Sequence, residues 1–376
     1  MRRLAVVILA GCATVATPST REPAASPAWE VVAARWAGNW IFVDVEVNDS
    51  RESLLLDTGC DITILDPGLV SRLGVPTEER ASPPLESSSG WSEAQRRTYA
   101  RASLRVGRLT QDADVLVLPL GELSRMFGEP IDGILGFQMW AGVSLRIDYP
   151  HHAVQIADRE LPLPDGKTVF ATAKGQARMR LDLPGGQSAT VVIDSGSAAY
   201  FVVPEKMEQA LSFRVRPRVT SYVSTWEGMT PRRTGRLADP IRVGRYVVEE
   251  PLVSFASGET GVMGTRVLQN FALTFDFAGS RVAFEREGAE PIRIPSLRGI
   301  GAGLEGESGS WKVLYVLEGG PAERAGLRAG DRVVAINGQS PDLFGPEAMK
   351  AAGVRVEVQR AGASRTFDVP VELLVE

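Results

Sequence analysis

Between residues 41 and 47 the chain alternates, with apolar Ile41, Val43, Val45 and Val47 at every second position. Period-two alternation puts these side chains on one face of an extended strand. Asn48-Asp49 then supplies a pair that tolerates the left-handed backbone of a tight turn, and Leu54-Leu55-Leu56 reads as the returning strand. A second stretch behaves alike: Met179 to Leu183 is a strand, Pro184-Gly185-Gly186 a turn, and Val191-Val192-Ile193 the return. Val143, Leu145 and Ile147 alternate just as Phe271, Leu273 and Phe275 do. The pattern predicts antiparallel strands joined by turns, and so a mainly β chain.

These similarities belong to an internal repeat. Leu54-Leu55-Leu56-Asp57-Thr58-Gly59 pairs with Val191-Val192-Ile193-Asp194-Ser195-Gly196. Ten residues past each Asp stands a proline, Pro67 or Pro204, where a short helical stretch is expected to open. Fifty residues past each Asp comes Val-Gly, at Val106-Gly107 and Val243-Gly244. Gly133-Ile134-Leu135-Gly136 then matches Gly261-Val262-Met263-Gly264, and twelve residues later Asp148-Tyr149 matches Asp276-Phe277. Equal offsets at so many places indicate a duplication. It predicts two β-rich lobes, at 29–160 and 164–289.

From about 290 the pattern changes. Val313, Tyr315 and Leu317 alternate. Then come Gly319-Gly320-Pro321-Ala322-Glu323-Arg324-Ala325-Gly326-Leu327, Gly330-Asp331 and Val333-Val334-Ala335-Ile336-Asn337-Gly338. A helix that opens at Pro and closes at Gly follows ordinary capping preferences, and Asn337-Gly338 is a favoured hairpin turn. A third unit is therefore expected over 290–376.

Composition and charge exclude several function classes. The net charge of −5, with no run of Lys or Arg, gives no basis for nucleic acid as a partner. Two cysteines, Cys12 and Cys60, are too few for a disulfide scaffold. The two histidines, His151 and His152, are adjacent in a turn, which leaves little for a Ser/His/Asp triad, a Cys/His dyad or a His-based zinc site. No Gly-x-Ser-x-Gly elbow or P-loop occurs. No organic cofactor or metal is expected.

The N-terminus carries Arg2 and Arg3, an apolar run from Leu4 to Ala10, and Leu9-Ala10-Gly11-Cys12. This order is that of a signal segment and resembles a bacterial lipobox. The resemblance implies removal of residues 1–11 and lipidation of Cys12, with 12–28 as a flexible tether rich in Ala, Thr, Ser and Pro. A short buried helix or a frayed tail is the alternative reading. No other apolar run reaches the roughly 18 residues of a spanning helix. Ala13, in place of an Asp after the lipidated Cys, directs the expectation to the outer membrane, facing the periplasm.

The paired apolar-apolar-Asp-Thr/Ser-Gly motifs, each followed by an apolar-apolar-Gly segment, resemble the retropepsin and pepsin aspartic peptidases over roughly 250 residues. The resemblance implies two retropepsin-like β-barrel lobes in one chain, catalytically sufficient as a monomer, acting on peptides or proteins. Asp57 and Asp194 would be the catalytic pair. Two carboxyls close enough to share one proton can serve as base towards water and acid towards the carbonyl, because both cannot ionise. Thr58 and Ser195 match the hydroxyls of a hydrogen-bond net that fixes the loops. Gly59 and Gly196 match the glycines that let each loop approach the other carboxyl. Cys60, just past the first motif, reads as a buried packing thiol rather than a nucleophile.

The polar segments Ser87–Arg97 and Ser221–Arg233 carry Gly90-Trp91 and Trp226-Glu227-Gly228. They match the hairpin flaps of the family; ordinary exposed loops are the alternative. The C-terminal unit resembles the small α+β PDZ domains of bacterial proteases. Such domains bind extended peptides by adding a strand to a sheet edge. The matching loop is Ile300-Gly301-Ala302-Gly303-Leu304, whose extra glycine leaves its register ambiguous. Either capture of a peptide C-terminus or a purely interdomain role fits. The overall expectation is a lipid-anchored aspartic endopeptidase. The rival is a catalytically silent peptide-binding or adaptor lipoprotein.

Overall fold

Asn48 and Asp49 both adopt positive φ, 46° and 66°, and the turn they make pairs Trp40–Val47 with Ser50–Asp57, Val47 opposite Ser50. Asn48 Oδ1 also accepts the Ser103 amide at 2.8 Å, tying the turn to the strand behind it. The computed structural model describes residues 29–376 except 83–85, 88–89, 92–94, 128, 158–167, 172–175, 226–227, 278–279, 308–309 and 342–349.

In the first lobe the strands lie in the order Ala34–Ala37, Trp40–Val47, Ser50–Asp57, Gly133–Gly136, Ile64–Leu65, Leu109–Val117, Gln95–Val106 and Thr77–Ser82. Trp40–Val47 pairs back onto Gln95–Val106 through Glu46 opposite Arg105 and Val47 opposite Leu104, which closes a six-stranded barrel. The second lobe repeats the order from Arg178–Asp182 through Ser188–Asp194, Gly261–Gly264, Phe201–Pro204, Leu252–Ala256 and Gly228–Leu237 to Phe213–Thr225. Among the described residues no ladder closes this second set. In both lobes the Asp strand runs parallel to the apolar-apolar-Gly strand in one register, Asp57 opposite Gly136 and Asp194 opposite Gly264.

The lobes are joined by a shared sheet. Ser144–Asp148 pairs antiparallel with Ala272–Asp276, Arg146 opposite Thr274, and Ala153–Ala157 and Arg281–Glu285 flank them. Phe137 meets Phe275 edge-on at 5.4 Å, and one apolar core runs through both lobes. Phe137, Phe271 and Phe275 are wholly buried; each such burial contributes on the order of 2–3 kcal/mol.

The two prolines differ. Asp66 accepts the Gly68 amide at 2.8 Å and caps the helix Pro67–Arg72, as expected. Pro204 instead ends a strand, and a 3₁₀ stretch, Glu205–Ala210, follows. Val203 precedes it, so no side-chain oxygen is present to cap a helix there.

The C-terminal unit has a five-stranded sheet, Ala302–Glu307, Ser310–Val316, Arg332–Ile336, Gly353–Arg360 and Ala363–Pro370, over its own core around Val313, Leu327 and Val356. Helix Pro321–Ala325 ends at Gly326 with φ 94°. Lobe packing continues past residue 290, where the sequence pattern changes. Ile292–Arg293 pairs in parallel with Tyr246–Glu249, and Ile292 and Ile294 lie in the lobe core. The chain end returns as well: Glu372–Val375 pairs with Leu297–Gly299, and Val375 is buried in the lobe core.

Candidate active site

Asp57 and Asp194 each end a strand and begin a tight loop, and the two loops face each other across the lobe interface. Thr58 Oγ1 donates to the Ile193 carbonyl at 2.7 Å and accepts the Ser195 amide at 3.0 Å. Ser195 Oγ reciprocates, donating to the Leu56 carbonyl at 2.9 Å and accepting the Thr58 amide at 3.0 Å. Both hydroxyl residues are wholly buried. Four reciprocal bonds in low dielectric fix one loop against the other.

The carboxyls sit above this net. Asp57 Oδ1 accepts the amides of Gly59 at 2.7 Å and Cys60 at 3.1 Å, and Asp194 Oδ1 accepts that of Gly196 at 2.8 Å. The two carboxyls face each other closely enough that each perturbs the ionisation of the other. The glycines make that closeness possible. A Cβ on Gly59 would stand 2.4 Å from the Asp194 carboxyl carbon, and one on Gly196 would stand 2.4 Å from that of Asp57.

Burial dominates the electrostatics. It raises the Asp57 carboxyl above the usual range, opposed by the Gly59 amide, the neighbouring Asp194 carboxyl and the Cys60 amide. Asp194 is pushed well above that range, first by burial and then by the Asp57 charge. The pair therefore titrates as a unit that retains one proton to higher pH than free carboxyls do.

Cys60 lies beside the site as an inert thiol. Its Sγ donates to the Ile62 carbonyl at 3.1 Å, it packs with the apolar cluster around Phe42 and Leu55, and burial holds the thiol far from ionisation. His151 and His152 lie in an exposed turn, His151 bonded to Asp148 and His152 stacked on Trp36. Among the described residues no cluster of three or more His, Cys, Asp or Glu could hold a metal.

Both segments that match flaps in sequence are hairpins. Gly90-Trp91 pairs with Glu86-Ser87 beyond the arms Thr77–Ser82 and Gln95–Val106. Gly228 pairs with Thr225 at the tip of the second hairpin; Trp226, between them, lies outside the described residues. That second hairpin is held by the C-terminal unit rather than standing free. Tyr222 and Tyr315 rings meet at 5.0 Å, and Arg218 donates to the Leu373 carbonyl at 3.0 Å. On the other side, helix Gly121–Phe127 of the first lobe packs against Ala302–Glu307. The C-terminal unit thus touches both lobes.

The register of its loop is now fixed. Gly301 has φ 70°, between buried Ile300 and half-buried Ala302. The Ile300 carbonyl accepts the Ala322 amide at 2.8 Å and that of Gly301 the Leu317 amide at 2.7 Å. Gly303 and Leu304 belong to the edge strand, opposite Tyr315 and Val313, with a bulge between them.

Two residues beside the carboxyls go unmarked by the motif reading. Trp40 Nε1, in the first lobe, donates to the Gly196 carbonyl at 3.3 Å; Gln176 Nε2, in the second, donates to the Gly59 carbonyl at 2.7 Å. They stand 17 and 18 residues before their own lobe's Asp. This near-equal offset is the signal that could have found them. Arg178 donates to Gln176 Oε1 at 2.7 Å and so aims the amide. If the paired carboxyls cleave peptides, Gln176→Leu should lower kcat by about tenfold with the melting temperature little changed, because it releases one loop carbonyl without opening a cavity. Steady-state kinetics beside a thermal melt checks this, and an unchanged kcat would show that the bond does not position the loop.

No curated protein matches the chain. Residues 43–139, which span the first Asp motif and its Gly-Ile-Leu-Gly partner, match the family described as aspartyl protease, and residues 312–346 match the PDZ domain. The chain thus carries a retropepsin-like aspartyl protease segment followed by a PDZ domain.

Proposed function

We propose that the protein is an aspartic endopeptidase in which Asp57 and Asp194 activate one water for attack on a peptide bond. One observation carries this reading: two carboxyls brought face to face on loops of matching register, each against the other loop's glycine, and locked together by the Thr58 and Ser195 bonds. A turn-capping role would explain one such Asp, but it gives no reason to bury two against each other at the electrostatic cost of doing so.

In the proposed reaction charged Asp57 takes a proton from water as the oxygen attacks the carbonyl carbon. Neutral Asp194 gives its proton to the carbonyl oxygen, leaving an uncharged tetrahedral diol. Collapse returns the diol proton to Asp194, and Asp57 passes its proton to the departing nitrogen. The pair ends with one proton, as it began. Digestion of a peptide library by the purified protein at acidic and neutral pH tests the reading. Cleavage strongest on the acid side supports it; no cleavage at any pH contradicts it.

The envelope location belongs to the same proposal, on the order of charge, apolar run and small residues before Cys12. Cys12 and the tether lie outside the described residues, and no helix among the described residues is long and apolar enough to cross a membrane. Cys12→Ser should move the protein from the membrane fraction to the soluble fraction. Its retention with membranes, or unmodified Cys12 found by mass spectrometry, would remove the lipoprotein reading.

A further inference from the structure

A cavity of about 480 Å³ opens immediately beyond the second Asp loop. Ser197, which follows Gly196, forms one edge, and the PDZ loop at Ile300 and Gly301 forms another wall. The site therefore lies between the protease segment's duplicate lobe and the PDZ domain, one residue beyond the Gly196 loop.

Its chemistry is one-sided. Among the described residues Arg232, Arg266 and Arg298 line it and no Asp or Glu does, although the Glu205 charge acts on Arg232 from nearby. Arg266 donates to the Tyr200 hydroxyl at 3.3 Å with its guanidinium over that ring, and Arg298 donates to the Val371 carbonyl at 3.0 Å. Each guanidinium has five N–H donors in a planar fork, so both have capacity beyond these bonds. Arg232 is the more telling: among the described residues its Nη1 is buried with no hydrogen-bond partner. An unpaired buried donor on a cation is costly unless a ligand completes it. The floor is polar too. Thr220, Thr234 and Ser254 hydroxyls form a chain with links of 2.8 Å.

We infer that this cavity binds a carboxylate of the substrate peptide, with Arg232 as its principal partner and Arg266 and Arg298 beside it. A carboxylate matches the guanidinium fork with two parallel bonds. The cavity has room for one small acidic group and its neighbouring residue, and its nearness to Asp194 places that carboxylate within a few residues of the bond to be cut. The substrate class is thus a peptide with a negative charge close to the cleavage site, from either a C-terminal carboxylate or an acidic side chain. The inference rests on the peptidase reading for its link to cleavage, but binding is separable from turnover.

The test uses the full chain carrying Asp194→Asn, so that bound peptide is not consumed. Three short labelled peptides of one neutral sequence are compared by fluorescence anisotropy: free acid, C-terminal amide, and C-terminal amide with one Glu near the end. The free acid or the Glu peptide should bind at least about tenfold more tightly than the plain amide, and salt should weaken the difference. Preference for the acid assigns a chain terminus; preference for the Glu peptide assigns a side chain. Adding Arg232→Gln, or Arg298→Gln in a separate protein, should erase the preference, with a thermal melt confirming the fold. Equal binding of all three peptides, or a preference that survives both Arg substitutions, overturns the inference. Carboxylate-selective binding by a protein whose unsubstituted form cleaves nothing would sink the peptidase reading and leave this site standing.

Discussion

Asp57→Asn and Asp194→Asn should each reduce peptide cleavage by on the order of 10³-fold or more, and the double substitution should be hardly worse than either alone. The proposed chemistry needs one carboxylate and one carboxylic acid together, so removing either removes both functions. Additive losses in the double variant would mean that the two residues act separately. The same substitutions carry a stability signature of opposite sign. Burial raises the Asp194 pKa above its unfolded value, so the folded state holds that proton where the unfolded chain has released it. This contribution is fully present below the ordinary carboxylate range of about 4 and is lost as pH rises through the raised folded value. Asp194→Asn has no proton to lose. Its melting temperature should therefore gain on the parent as pH goes from acid to neutral. A difference that stays flat with pH would mean that the carboxyl is not held protonated.

Gly59→Ala and Gly196→Ala should come next in effect. Each added methyl would sit 2.4 Å from the opposing carboxyl carbon, and those carboxyls are themselves held by loop amides at 2.7 and 2.8 Å. Neither side can yield without breaking the loop bonds, so the loops must separate. Cleavage should fall by about 10²-fold or more and stability by about 1–3 kcal/mol, the usual cost of overpacking. Gly258→Ala is the control, since its Cβ would meet nothing closer than 3.8 Å, and it should leave both activity and melting unchanged. Wild-type activity in Gly196→Ala would show that the close approach of loop and carboxyl is not needed.

Much of this site was legible in the chain because local signals carry it. The Asp-Thr-Gly and Asp-Ser-Gly loops follow apolar strands, and the alternation from Val43 to Val47 marks the buried face of that strand, whereas Ala272–Asp276 is buried on both faces. Asn48-Asp49 and Asn337-Gly338 announce turns because few other residues accept positive φ. What escaped depends on partners distant in sequence. Trp40 and Gln176 reach across to the other lobe's loop, 156 and 117 residues away, and only their near-equal distance before each Asp, not their residue type, sets them apart. Arg146 opposite Thr274 joins the lobes into one sheet, which alternation predicts for each strand but not for the pair. The docking of the PDZ domain through Tyr315, Leu373 and Val375 was invisible for the same reason. The sequence shows a separate module, whereas the packing ties its last strand into the lobe core.

The most direct test of the shared-proton dyad is the pH dependence of kcat/KM for one cleaved peptide, measured on the parent protein and on Asp194→Asn with folding confirmed. The dyad predicts that parental cleavage falls away as pH rises through the raised Asp194 value, because the acid has then lost its proton. It also predicts that Asp194→Asn cleaves at no pH. Substantial cleavage by Asp194→Asn, or a parental rate that holds steady well into alkaline pH, would contradict it.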